Sequence, residues 1–232
     1  MKAVLFDLFG TLVPNLAPEV WSSSCEEISH ILGIEPDDYA RLWSARFEDR
    51  MTGRIQDGPA QFDEILQHLN REVSQEIRTQ ASDTHRELLR KALQPKPDAV
   101  STLEAITDRN LRLALVTDCS SSAPEILDST PLGRFFSCRA SSAHLGTRKP
   151  DPRMYQFVLD QLDLEAADCL YVGDGNSHEL PGAKEMGMVT VWVDNGDSQH
   201  WQERFEPSGD FTVKNLQELI PLLDSLQQTE QP

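Results

Sequence analysis

Four stretches of this 232-residue chain carry side chains that could do chemistry together. In the first, Asp7 follows the apolar run 2–6, with Gly10 and Thr11 close behind. In the second, the run 111–116 ends at Thr117 and Asp118. The third is Lys149 before Pro150, and the fourth is Gly173, Asp174 and Gly175 with Glu179 beyond them. Carboxylates about 4 Å apart repel by roughly 1–4 kcal/mol, depending on the effective dielectric. A hard divalent cation turns that repulsion into binding, and oxygen donors completed by water suit magnesium. A hydroxyl and an ammonium, here Thr117 and Lys149, can stabilise charge that develops on phosphoryl oxygens.

These residues meet only if the chain brings the ends of its strands to one edge. Segment 2–6 is a short apolar run closed by an acid, the pattern of a buried parallel strand. From 17 to 93 the pattern is helical only, with helices expected at 18–32, 36–51, 59–69 and 74–93; proline opens three of them. Pro95 and Pro97 then break the chain. Alternation resumes with helices at 98–106, 123–127, 151–162, 179–186 and 216–226. Strands are expected at 111–116, 135–138, 169–172, 189–193 and 211–213. This order predicts an α/β fold: a Rossmann-like parallel sheet core with an all-helical domain inserted after the first strand. Residues 1–15 and 95–232 form the core and 16–94 the inserted domain. Residues 227–232 read as a disordered tail. In an open parallel sheet, ligands bind beyond the carboxyl ends of the strands, and all four polar stretches fall there.

Composition narrows the function. Hydrophobic residues make up 39% and charged residues 25% of the chain, which argues against disorder and fibrous repeats. The formal net charge of −17 repels nucleic acid and anionic membranes, and no apolar run reaches the roughly 18 residues of a membrane span. Neither is expected as a partner. Cys25, Cys119, Cys138 and Cys169 lack metal-ligand spacing, and Asp7 interrupts the apolar N-terminus before any cleavage site. They read as reduced thiols of a cytoplasmic protein, either a monomer or a homodimer.

Four ordered motifs carry a resemblance: FDLFGTLV from Phe6, LVTD ending at Asp118, KPDP from Lys149 and YVGDGNSHEL from Tyr171. Together they resemble the haloacid dehalogenase-like hydrolase superfamily over essentially the whole chain. The resemblance implies a Rossmann-like core with a mobile helical cap. It implies Asp7 as the nucleophile of a covalent aspartyl intermediate, with Gly10 and Thr11 forming a tight turn and orienting it. It implies a magnesium ion held by Asp7, Asp174 and the backbone carbonyl of Phe9, with Glu179 standing behind these ligands. Thr117 and Lys149 would hold the transferring group, with Asp118 beside them.

Phe9 departs from the family's phosphatases, which place there a second aspartate that protonates the leaving group and later activates water. The dehalogenase branch has an aromatic residue at that place, because halide leaves without a proton. That branch works without metal, however, and has neutral residues where this chain has Gly173 and Asp174. The expected function is therefore a magnesium-dependent phosphatase acting on a small phosphorylated or carboxylated metabolite. The alternatives are a 2-haloacid dehalogenase-type hydrolase and a catalytically weak relative that binds a ligand or partner. In the cap, Arg41, Arg46, Arg50 and Arg54 recur. Arg50 is expected to face the cleft and bind a substrate anion bidentately.

Overall fold

The computed structural model describes residues 1–194, 196 and 209–229. The strands are β1 (Ala3–Phe6), β2 (Arg112–Thr117), β3 (Cys138–Ser141), β4 (Cys169–Gly173), β5 (Val189–Val193) and β6 (Phe211–Val213). They form one six-stranded sheet of order β3-β2-β1-β4-β5-β6, and every pairing is parallel. Phe6 of β1 pairs with Leu115 of β2 and Val172 of β4. The residues that follow these three strands therefore emerge side by side.

Successive side chains of a strand point to opposite faces. Val4, Phe6, Leu113, Leu115, Leu170 and Val172 accordingly feed one hydrophobic cluster, and Ala3, Leu5, Ala114, Val116 and Tyr171 feed another. Because both faces are covered, β1 and β4 are apolar throughout, as buried parallel strands must be.

Helices α1 (Pro18–Leu32), α2 (Pro36–Ala45), α3 (Phe47–Met51), α4 (Asp63–His68) and α5 (Gln75–Ala92) lie between β1 and β2. The helices of the sheet layers are α6 (Ala99–Thr107), α7 (Ala123–Asp128), α8 (Ser142–Leu145), α9 (Pro152–Leu162), α10 (Glu179–Glu185) and α11 (Leu219–Thr229). α6, α7 and α11 pack on the first face, and α9 and α10 on the second. α1, α2, α4 and α5, with the 3-10 turn Pro59–Phe62, share their own cluster, which includes Ile28, Leu32, Tyr39, Trp43, Phe62, Ile65 and Ala81. Proline opens α1 and α2, where its missing N–H costs nothing. Ser74 caps α5 by accepting from the Ile77 N–H.

Three expectations need correction. The helix expected over 36–51 breaks at Arg46, with φ −102° and ψ 13°. At the break the Trp43 carbonyl accepts from the Arg46 N–H at 3.1 Å and from Arg50 Nη1 at 2.5 Å. The strand expected at 135–138 begins only at Cys138, where pairing with Ala114 starts. Phe135 belongs to a 3-10 turn and Phe136 packs edge-on against Phe6, so this aromatic pair serves the core and not the ladder. The expected tail at 227–232 is partly helical, since α11 runs to Thr229; residues 230–232 lie outside the described part.

Candidate active site

Asp7 continues β1, and its N–H donates to the Val172 carbonyl of β4 at 2.9 Å. Its side chain is buried and held from two sides. Thr11 Oγ1 donates to Oδ2 at 3.1 Å, and Lys149 Nζ donates to Oδ1 at 2.5 Å. Between Asp7 and Thr11 the chain turns at Gly10, with φ +84°. A Cβ there would lie 2.0 Å from Asp174 Oδ2, so both the backbone conformation and the close approach require glycine. Phe9 packs against the sheet's hydrophobic cluster. A phenyl ring supplies no proton, so this position offers neither acid nor base.

Lys149 is buried and bridges two carboxylates, donating also to Glu179 Oε2 at 2.5 Å. Burial works against its charge, but Asp7, Glu179 and Asp118 outweigh that effect and hold its pKa above the ordinary lysine value. Glu179 is fully buried, and it accepts as well from Tyr171 Oη at 2.9 Å and from the Gly175 N–H at 3.1 Å. Its oxygens are spent on holding the lysine and the turn after β4. A Cβ on Gly173 would lie 2.0 Å from Glu179 Oε1, so this glycine makes room for the carboxylate.

Asp174 has neutral hydrogen-bond partners. Its Oδ1 accepts from the Asn176 N–H at 3.0 Å; its Oδ2 accepts from Asn176 Nδ2 at 2.5 Å and Asn15 Nδ2 at 3.2 Å. Burial, followed by the charge of Asp7, pushes its carboxyl up to about 6. Asp7, Asp174 and Glu179 each offer an oxygen within 4.8 Å of the others. The cluster thus crowds three carboxylates around the ammonium of Lys149. Hard oxygen donors short of positive charge fit a divalent cation such as magnesium.

Thr117 ends β2 and is buried, and its Oγ1 makes no hydrogen bond. It is a donor left for something else. Asp118 turns away from such a role. Its Oδ1 accepts from the Lys149 N–H at 3.0 Å, and its Oδ2 lies 3.4 Å from Arg148 Nε. Asp118 therefore fixes the backbone that carries Lys149. Arg50 is buried within the helical insertion, with its guanidinium 3.8 Å from the Trp43 ring centroid. Burial lowers its pKa to about 10. Sequence reasoning thus names the carboxylates and the lysine that the structure brings together. It misses Asn15, Asn176 and Tyr171, which orient them. Tyr171 and Asn176 lie inside the fourth motif and Asn15 two residues after the first, which was the available signal.

Residues 1–187 match the family model of the haloacid dehalogenase-like hydrolases. The chain belongs to this family. It is a hydrolase, and its relatives divide between two chemistries. It is 25% identical to the glyceraldehyde 3-phosphate phosphatase of Methanocaldococcus jannaschii, with 97% of this chain and 98% of the relative covered. It is 28% identical to (S)-2-haloacid dehalogenase 4A of Burkholderia cepacia, covering 96% of this chain and 95% of that one. Solved structures repeat the division. The fold matches a HAD phosphatase from Thermococcus onnurineus with a TM-score of 0.67 at 24% identity, covering 96% of this chain and 98% of that one. It matches a 2-haloacid dehalogenase from Pseudomonas syringae pv. Tomato DC3000 with a TM-score of 0.69 at 23% identity, covering 97% and 99%. Among the described residues, no helix is long and apolar enough to cross a membrane.

Proposed function

We propose that this hydrolase is a magnesium-dependent phosphatase of small anionic metabolites. Residues 1–15 and 95–232 are its catalytic core, and residues 16–94 its cap. The observation that carries the reading is Asp174: a carboxylate buried beside Asp7, raised in pKa, and served by neutral donors. A dehalogenase, which needs no cation, has no use for that cluster. Magnesium on Asp7, Asp174 and the Phe9 carbonyl would supply the missing charge and neutralise phosphoryl oxygens. Glu179 steadies this set from behind through Lys149.

The chain's own residues do the rest. Thr11 and Lys149 hold Asp7 in place, and Asp7 attacks phosphorus. A bond forms between the Asp7 oxygen and phosphorus as the bond to the leaving alcohol breaks. Water then attacks the aspartyl phosphate, the bond to Asp7 breaks, and phosphate departs. The unpaired Thr117 Oγ1 and the Lys149 ammonium stabilise the transferring group. With phenylalanine at position 9, the leaving oxygen takes its proton from water or leaves as a stable anion. Good leaving groups are therefore favoured, and alkyl phosphates should turn over more slowly than aryl phosphates.

A second reading has one observation in its favour. Phe9 suits a reaction whose leaving group needs no proton, which is dehalogenation at carbon. Parallel assays separate the two readings. Magnesium-dependent phosphate release from aryl phosphates, with no halide from a panel of 2-haloacids, supports the phosphatase. Halide release without added metal, and no phosphate release, overturns it.

A further inference from the structure

The helical insertion reaches the sheet-edge loops through the segment after α3. Asp57 sits there, with its side chain 8% exposed. Its Oδ2 accepts from Ser120 Oγ at 2.6 Å, from the Ser122 N–H at 2.8 Å and from Ser122 Oγ at 2.5 Å. Its own N–H donates to Ser121 Oγ at 2.8 Å. All four bonds run from the insertion to the loop that follows Thr117 and Asp118. Nearby, a Cβ on Gly53 would lie 2.1 Å from the Ala143 carbonyl oxygen, so the segment is pressed against α8. A second bridge is Arg148, whose Nη1 donates to Glu48 of α3 at 2.6 Å and whose guanidinium carbon stands 4.8 Å from the Phe47 ring centroid.

The loop 118–122 is also held from the core side. The Cys119 N–H donates to Ser142 Oγ at 2.9 Å. Between that anchor and α7 lie three consecutive serines, whose short polar side chains offer the backbone many alternative hydrogen bonds. One carboxylate oxygen gathers three of their donors. His85 faces the other oxygen from 4.0 Å. Burial pushes this histidine down to about 4, so it is neutral at neutral pH and the contact is not an ion pair.

We propose that Asp57 is a positioning residue: by clamping Ser120 and Ser122 it makes the order of the 118–122 loop, and hence the placement of Thr117 Oγ1, depend on the docked insertion. The inference concerns a contact that either hydrolytic reading would use; only its kinetic readout rests on the phosphatase reading.

The test is residue-resolved amide hydrogen exchange by NMR on the full chain, for wild type, Asp57→Ala, Asp57→Asn and Ser120→Ala/Ser122→Ala. Cys119 is the reporter, because its N–H bonds to Ser142 and not to Asp57. Asp57→Ala is expected to speed Cys119 exchange at least about tenfold, the serine variant to do the same, and their combination to add little, as groups in one contact behave. Asp57→Asn, which keeps an acceptor oxygen, is expected to restore most of the protection. In parallel, magnesium-supported hydrolysis of p-nitrophenyl phosphate should lose kcat with little change in KM. Unchanged Cys119 exchange in Asp57→Ala, or effects from the two sides that simply add, would overturn the proposal. If Asp57→Ala proves unfolded by circular dichroism, the serine variant decides alone. A wild type that releases no phosphate, with exchange still rising in the variants, would leave the clamp standing and remove the phosphatase reading.

Discussion

At the sheet edge Lys149 touches Asp7 and Glu179 at 2.5 Å; in the insertion His85 stands 4.0 Å from Asp57. Both clusters are buried, and both mix acids with bases. Their surroundings set them apart. The first sits at strand ends, where sheet register fixes the backbone, glycines clear space for carboxylates, and tyrosine and amide donors satisfy what the lysine does not. The second lies against aromatic rings: Trp43 meets His85 edge-on at 4.9 Å and carries the Arg50 guanidinium on its face. Burial there keeps the histidine neutral and lowers the arginine. In the first, burial raises Asp174 and Glu179 while Lys149 keeps its charge between carboxylates; in the second, the histidine is neutral at pH 7 while the arginine, at about 10, stays charged. A cluster of carboxylates crowded around one buried ammonium can do electrostatic chemistry; a neutral histidine packed edge-on against Trp43 is suited to packing and docking.

The sharpest way to break this comparison is to remove the lysine. Lys149→Met leaves three carboxylates without their ammonium. It is expected to cost about 3–5 kcal/mol, the usual result of stripping one partner from a buried pair. For a chain of this size that lowers the melting temperature by roughly 6–20 °C, with activity lost as well. A melting temperature within about 2 °C of wild type would show that the edge cluster is not held by charge.

The second prediction concerns the insertion. The folded pKa of His85, about 4, lies below the ordinary value of 6.5. Below pH 6.5 the unfolded chain takes up a proton that the folded chain refuses. Stability is therefore fully present above pH 6.5 and falls as pH drops toward 4, by up to ~3 kcal/mol. Urea midpoints at pH 7 and pH 5 read this, and the slope should be reduced in His85→Gln relative to wild type. Equal slopes would mean that the histidine is already charged in the fold.

A third variant sharpens the role of charge at the edge. Asp174→Asn removes one of the crowded carboxylates. Without metal it should melt slightly above wild type, by an amount on the order of 1 kcal/mol. Saturating magnesium should stabilise wild type by about 2.7 kcal/mol at a hundredfold excess over Kd, and the variant hardly at all. Equal magnesium responses would separate Asp174 from the ion.

The smallest effect tests whether α5, which carries His85, matters only to packing. Ser74→Ala removes its cap and is expected to cost about 1 kcal/mol. Turnover at Asp7 should not change. A loss of kcat without a loss of stability would tie α5 to the chemistry.

Much of the edge cluster was legible because parallel strands announce themselves. β1 and β4 are continuous apolar runs, and Asp7 and Gly173–Asp174 sit where those runs stop. The helical insertion was legible from periodicity and from proline at helix starts. Other features were hidden for physical reasons. Asp57 meets Ser120 and Ser122 across 63 and 65 residues of chain, and neither local pattern nor composition sets that pairing. Asp118 resembled a ligand contact in sequence, but only the fold shows that it accepts from the Lys149 N–H. The aromatic pair Phe135 and Phe136 mimics a strand, because core turns and core strands draw on the same residues. Arg50 read as a cleft arginine for a substrate anion, whereas the break at Arg46 lays its guanidinium over Trp43.

The most direct measurement is phosphate release from p-nitrophenyl phosphate, with and without magnesium, for wild type and Asp7→Asn. Its phenolate leaves without a proton, so Phe9 should not obstruct the first step. The expected result is release by wild type only with magnesium, and loss of at least about a thousandfold in Asp7→Asn, whose amide is a far weaker nucleophile. Release that persists in Asp7→Asn, or that ignores magnesium, would contradict phosphoryl transfer to Asp7.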